Sequence, residues 1–305
     1  MAIPGPGTAI SMTTIATEFG GTVPHSLSEY YRGGGLVPNA PANSAIPTSG
    51  QIAIGNFYGA TNRISVPLTI SANSYNYDVY TNRGPTYVAG ISDITVTVNP
   101  GVTVGSTAVP TYAMLVPSAF NPADTITIVN NGLIQAMGGA GGAGGGAGPA
   151  GVAGGTGGSA IYVNRPTVIT NNGTVASGGG GGGGGGGRQT NTPTGFKTPP
   201  AINNYGGGGG GGGAGFNGGA AGAGGTAGSG NGTAGSAGTS PAGGAGGAGS
   251  NGAGTGGTGG GRGAGGAAGA PSTWAGGGGG ATGNYIVGNP FVTWPVNGTR
   301  QGNVA

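Results

Sequence analysis

Apolar β-branched residues alternate with polar ones over 64–70, 94–98, 102–104, 112–116 and 125–129. A period of two turns one side of each stretch toward a core and the other toward water, so short half-buried strands are predicted there. Asn99-Pro100-Gly101 and Asn121-Pro122 separate them as turns. The pattern yields a small β-domain over 63–137. Beyond Gly138 the period becomes three. Gly139, Gly142, Gly145, Gly148, Gly151, Gly154 and Gly157 keep one register, as do Gly254, Gly257, Gly260, Gly263, Gly266 and Gly269. Shorter in-phase runs at 219–228, 232–238 and 243–252 are separated by slips of phase.

Three residues per turn is the repeat of polyproline II, which polyglycine adopts too, and such a helix makes no internal hydrogen bonds. Its N–H and C=O groups point sideways, free to bond parallel or antiparallel neighbours. A net gain of about 0.5–1.5 kcal/mol per bond, with about 0.5–1 kcal/mol from each Cα–H···O contact, is of the size needed to offset about 1–2 kcal/mol of backbone entropy per residue. Axes that close exclude a Cβ on the touching face, which accounts for glycine at every third place. Collagen would need uninterrupted Gly-X-Y with abundant proline. Here the register slips, and Pro199, Pro200, Pro241 and Pro271 sit at the ends of glycine runs. The chain has 84 glycines and 21 prolines in 305 residues, a composition that without a period signals disorder; the triplet register removes that reading.

The predicted fold is therefore a mainly β N-terminal part followed by a glycine-rich bundle of polyglycine II helices, with almost no α-helix. The expected divisions are an N-terminal segment 1–62, the β-domain 63–137, the bundle 138–283 with inserted loops, and a C-terminal capping segment 284–305. One internal repeat links the two materials: Ile128-Val129-Asn130-Asn131-Gly132-Leu133-Ile134 returns as Ile169-Thr170-Asn171-Asn172-Gly173-Thr174-Val175, each copy running into a glycine tract. A partial third copy is read at Ile202-Asn203-Asn204-Tyr205. Each strand and Asn-Gly turn would launch one layer of helices.

Chemistry is limited by what is missing. All five acids (Glu18, Glu29, Asp78, Asp93, Asp124) precede residue 125, the one histidine is His25, and there is no cysteine. The glycine-rich half thus has no carboxylate, imidazole or thiol to act as acid, base, nucleophile or metal ligand, and the expectation is no enzyme, no cofactor and no metal. GxGxxG patterns arise here by composition, and none follows a strand within a βαβ unit. The net charge of +3 comes from eight dispersed cations, so no nucleic-acid partner is indicated. No apolar run is long enough to cross a membrane, and no secretory leader is recognised.

Recognition by loops on a rigid frame is the remaining reading. Between the two longest homoglycine runs lies an insertion, 188–205, that carries Arg188, Phe196, Lys197 and Tyr205. Phe216 and Trp274 stand alone in smaller interruptions, and all six are candidate receptor contacts, since Arg and aromatic side chains are favoured anchors. Tyr285, Phe291 and Trp294 read equally well as caps on the bundle.

The stretch from Leu27-Ser28-Glu29-Tyr30-Tyr31-Arg32-Gly33-Gly34-Gly35 through Ile52-Ala53-Ile54-Gly55-Asn56-Phe57-Tyr58-Gly59 resembles a segment recurring in structural tail proteins of tailed bacteriophages. The glycine part resembles the receptor-recognising adhesins at long-tail-fibre tips of T-even-like phages. The resemblance implies a virion tail protein, made in the host cytoplasm. Its N-terminal segment would attach to other tail proteins, with Leu27, Tyr30, Tyr31, Arg32, Ile52, Phe57 and Tyr58 as candidates. Its glycine bundle would present loops to an outer-membrane protein or lipopolysaccharide, in one subunit or in a homo-oligomer such as a trimer, without membrane insertion. A passive spacer of the tail, or an ice-binding protein built on a flat glycine bundle, are the alternatives.

Overall fold

In the computed structural model, which describes residues 2–194 and 199–305, the chain forms two compact units. The first comprises 1–68, 83–95 and 119–127, the second 69–82, 96–118 and 128–305.

The first unit contains the helix α1, Met12–Phe19, started by a reciprocal cap between Ser11 and Thr14 and stopped at Gly20, whose φ is +79°. Ile15 and Phe19 face inward from it and meet Ile3, Tyr30, Val37, Ile46 and Phe57 in one core. Phe57 sits edge-on to Phe19 at 6.3 Å and to Tyr30 at 6.2 Å. Arg63 lies 2.6 Å from Asp93 and also donates to the carbonyls of Ser92 and Ala123. Burial raises the Asp93 pKa, but hydrogen bonds from Arg63 and Thr125 and the Arg63 charge outweigh it, leaving the carboxyl below its ordinary range. A depressed folded pKa gives stability that is present above the unfolded value and disappears as pH falls through the folded one. Acid titration of stability should therefore show a smaller loss below the usual carboxylate pKa in Asp93→Asn than in the parent; equal losses would remove Asp93 from the acid response.

The strands follow a repeating order. β1 Ile64–Ile70, β2 Ser74–Tyr75 and β3 Tyr77–Asp78 form one coil; β4 Ser92–Val98, β5 Thr103–Gly105 and β6 Met114–Val116 form the next. A third has β7 Thr125–Asn130, β8 Leu133–Gln135 and β9 Ile161–Val163; a fourth has β10 Thr167–Asn171 and β11 Thr174–Ala176. The hairpin β12 Arg188–Thr192 with β13 Ala201–Tyr205 then intervenes, after which β14 Asn284–Val287 completes the fourth coil. β15 Val292–Val296, β16 Thr299–Gln301 and β17 Asn303–Val304 make the fifth. Each coil gives one strand to each of three sheets, ordered β1-β4-β7-β10-β15, β2-β5-β8-β11-β16 and β3-β6-β9-β14-β17. The second and third sheets are parallel throughout. The alternation that predicted β1, β4 and β7 is the inward face of this stack: Ile94, Val96, Val98, Ile126 and Ile128 are buried. Pro67 lies in the edge strand β1 and Pro295 in the opposite edge strand β15, each removing a donor from an otherwise open edge.

The internal repeat is the vertical period of the stack. Asn130 and Asn171, 41 residues apart, are fully buried and joined side chain to side chain at 2.8 Å. Asn172 donates to Asn131 above it in the same way. The third rung is not Ile202–Tyr205, which lies in the antiparallel hairpin, but Asn297-Gly298. Asn171 Nδ2 donates to the Asn297 carbonyl at 2.8 Å. Glycine is needed in each turn because the turns stack: a Cβ on Gly173 would lie 2.1 Å from the Gly132 carbonyl oxygen, and one on Gly298 2.3 Å from that of Asn171.

The glycine tracts are insertions into two coils, 138–160 between β8 and β9 and 177–283 between β11 and β14, and apart from β12–β13 their described residues hold no helix or strand. Their backbones bond one another laterally with a period of three. Gly178, Gly181 and Gly184 donate to the segment 152–158; Gly179, Gly182 and Gly185 to 208–214; Gly180, Gly183 and Gly186 to 264–270. Their carbonyls accept in rotation from 139–145, 254–260 and 277–283. Run 206–214 is surrounded likewise, by 139–145, 219–225, 230–239, 244–250, 254–260 and the first run. The two longest homoglycine stretches, 178–187 and 206–213, lie in these runs, and both are buried along their length. A segment enclosed on every side has no direction in which a Cβ can point. The segments around them keep a face open to water, and there alanine, serine and threonine stand between the glycines.

Candidate functional site

Because β12 leaves one interior run and β13 enters the other, the hairpin rises from the middle of the array's end. Turns at 226–231, 250–253 and 271–274 close around it. Gln189 N donates to Thr273 Oγ1 at 3.1 Å, and Ser272 Oγ to the Gly252 carbonyl at 3.0 Å. Ser229 N donates to the Asn204 carbonyl at 3.0 Å, and Arg188 Nη1 donates to the Asn251 carbonyl. Trp274 N reaches the Gly187 carbonyl at 3.2 Å, and its half-buried ring lies against Gly187. The hairpin pairs Arg188 with Tyr205, Gln189 with Asn204, Thr190 with Asn203 and Asn191 with Ile202. Ile202 is 59% exposed. The described residues of this end thus offer amides, hydroxyls, one cation and aromatic rings on a hydrogen-bonded backbone.

Among the sequence-predicted contacts, Arg188, Tyr205 and Trp274 meet at this end. Phe196 and Lys197 lie outside the described residues, in the segment joining β12 to β13. Phe216 sits at the opposite end: its ring is 5.2 Å from that of Tyr75 and covers Gly105, where a Cβ would lie 2.1 Å from Phe216 Cγ. It fixes the array to the strands rather than facing outward. There Gln135 exchanges hydrogen bonds with the Ser240 carbonyl and hydroxyl at 2.6 and 2.7 Å, and Arg262 grips the same serine twice at 2.9 Å. Partial burial draws the Arg262 pKa below its ordinary value.

The N-terminal candidates divide by burial. Tyr30 and Phe57 are fully buried and Leu27 and Ile52 pack against the same core, so their sizes and shapes answer to folding. Tyr31, Arg32 and Tyr58 are half-buried; Tyr31 donates to the Gly50 carbonyl and Arg32 to that of Ile46. An apolar groove of about 780 Å³ in this unit is lined by Leu36, Val37, Pro38, Ile64, Val88 and Ile91 among others. Tyr285 and Trp294 belong to the last two coils, with Arg300 over both rings, and Phe291 remains 44% exposed. The turns at 226–231 and 250–253 were not among the sequence candidates, although the slips of glycine phase mark both places where the chain reverses.

A model of the phage tail fibre adhesin Gp38 family matches residues 65–305. The chain belongs to that family. The match takes in the coils, both glycine insertions and the hairpin, and leaves most of the first unit outside it. A Gp38-family chain is a component of a virion tail. Among curated proteins none matches. The chain is also similar over its full length to a full chain of the crystal structure of the gp37-gp38 adhesin tip complex of the bacteriophage S16 long tail fiber, with 22% identity and a TM-score of 0.47.

Proposed function

We propose that this Gp38-family adhesin touches the bacterial surface with the hairpin 188–205 and the turns around it, and that the glycine segments carrying them are polyglycine II helices. The observation that carries this reading is the position of the hairpin: its two ends continue into the two enclosed homoglycine runs, whose backbones are hydrogen-bonded to neighbours on every side. Rigid support lets exposed loops bind without a large ordering cost. The helix assignment is supported by the three-residue hydrogen-bond period, which matches three residues per turn. The divisions 1–62, 63–137, 138–283 and 284–305 become roles in this reading: attachment to another tail protein, adaptation, presentation and closure of the last coil. The receptor is an outer-membrane protein or lipopolysaccharide, and several copies on one particle, or a homo-oligomer, make weak single contacts sufficient.

Phage carrying Arg188→Ala, Tyr205→Ala and Trp274→Ala together should bind host cells at least tenfold more weakly at equilibrium, a loss of about 1.4 kcal/mol or more. Phe216→Ala particles that retain folded protein should adsorb normally. Full adsorption by the triple variant would favour the spacer reading.

A further inference from the structure

We propose that Asn251-Gly252, in one of the turns beside the hairpin, is a self-modifying site at which the asparagine amide is lost and a carboxylate takes its place next to Arg188. The chain has six Asn-Gly dipeptides, at 131, 172, 217, 231, 251 and 297. Glycine following asparagine leaves the next backbone nitrogen unshielded, so that it can attack the side-chain carbonyl. The nitrogen–Cγ bond forms, the Cγ–Nδ2 bond breaks and ammonia leaves with the glycine N–H proton. Water then opens the cyclic imide to aspartate or isoaspartate; no oxidant or reductant takes part.

In four of the six the nucleophile is occupied. Gly132 N donates to Asn130 Oδ1 at 3.2 Å, Gly173 N to the Asn130 carbonyl at 2.9 Å, Gly218 N to that of Gly215 at 2.9 Å, and Gly232 N to that of Gly225 at 2.9 Å. Neither Gly252 N nor Gly298 N donates a hydrogen bond among the described residues. The Asn297 turn is nevertheless seated on the coil before it through Asn171, and Thr299 N holds the Gly173 carbonyl, so its rotation would break buried bonds.

Asn251 differs in three ways. It is exposed, and its side chain makes no hydrogen bond among the described residues. Its φ of +43° is a left-handed conformation that few non-glycine residues adopt. The Arg188 guanidinium lies against Gly252, where a Cβ would be 2.5 Å from Nη1. Arg188 Nη1 also donates to the Asn251 carbonyl, the oxygen of the very peptide whose nitrogen must lose its proton; the cation there stabilises the developing negative charge and is at hand to pair with the carboxylate that results. The product would be the first acid within 138–283, since every encoded acid precedes residue 125. It would neutralise the one described cation of the hairpin. The weight of this change for adsorption rests on the reading given under Proposed function; the modification itself does not.

The test is peptide mapping by mass spectrometry of the folded full-length protein, aged in mildly alkaline buffer made with heavy-oxygen water. Label should appear first at Asn251, before Asn297 and well before the four occupied sites. Arg188→Gln, with the glycine array shown intact by hydrogen exchange, should slow the conversion severalfold. Earlier conversion at any occupied site, an unlabelled Asn251 when the same peptide free in solution has fully converted, or a rate indifferent to Arg188→Gln would each overturn the proposal. All three readouts are independent of whether particles adsorb.

Discussion

Gly182→Ala should unfold the glycine array, lowering stability by about 3 kcal/mol or more, while Gly278→Ala should leave it unchanged within about 0.5 kcal/mol. Both replace a glycine by the smallest side chain, so propensity alone predicts no difference between them. Position does. A Cβ on Gly182 would lie 2.1 Å from the Gly257 carbonyl oxygen and 2.6 Å from its carbon, atoms of a backbone that cannot rotate aside. Making room means moving that segment and stretching the bonds Gly182 N to Gly211 O and Gly257 N to Gly183 O, both 2.8 Å. At Gly278 a Cβ would meet nothing within 4 Å, and alanine's smaller loss of backbone freedom even favours the folded state. Calorimetry with limited proteolysis of the array distinguishes the two; equal melting temperatures would mean that the enclosed runs are not enclosed in solution.

Asn171→Ala should cost about 3 kcal/mol through loss of a buried polar relay. Asn171 Oδ1 accepts from Asn130 at 2.8 Å, and its Nδ2 donates to the carbonyls of Asn297 and Thr299 at 2.8 and 3.2 Å. Truncation leaves those two carbonyls without their amide donor under the last coil. The exposed partner Asn172, whose Nδ2 donates to Asn131 at 2.9 Å, is the control: Asn172→Ala should cost well under 1 kcal/mol. Chemical denaturation of both variants reads the difference, and similar midpoints would show that the ladder is held by its backbone alone.

The two units differ in how much of them could be read without coordinates. In the strands the alternation at 64–70 and 125–129 sufficed, because each strand has one buried face and the period of burial is written in residue type. The two-residue strands Ser74–Tyr75 and Tyr77–Asp78 are too short to carry a period and exist because a longer neighbour supplies their partners. The Asn-Gly rung at 297–298 is not legible from the repeat, since the insertion 177–283 hides the vertical period and the Ile-Asn-Asn string at 202–204, in a hairpin, mimics it. Tyr30 and Phe57 carried the resemblance to tail proteins and turn out to be core, where conserving shape and serving contact look the same from residue type. Helix α1 is not legible in the sequence because eight residues give little more than two turns of pattern.

By itself the sequence determined that the second half would be backbone-bonded rather than side-chain-packed. Glycine at every third place, with no acid, cysteine or histidine there, leaves lateral amide bonding as the force able to order it. Tertiary structure alone decided which runs had to be glycine throughout, that Phe216 faces the strands, and that Arg188, Tyr205 and Trp274 share one end. The reason is that enclosure and direction are properties of neighbours: a triplet register fixes how one segment repeats, and only the assembled array fixes what stands on each of its sides.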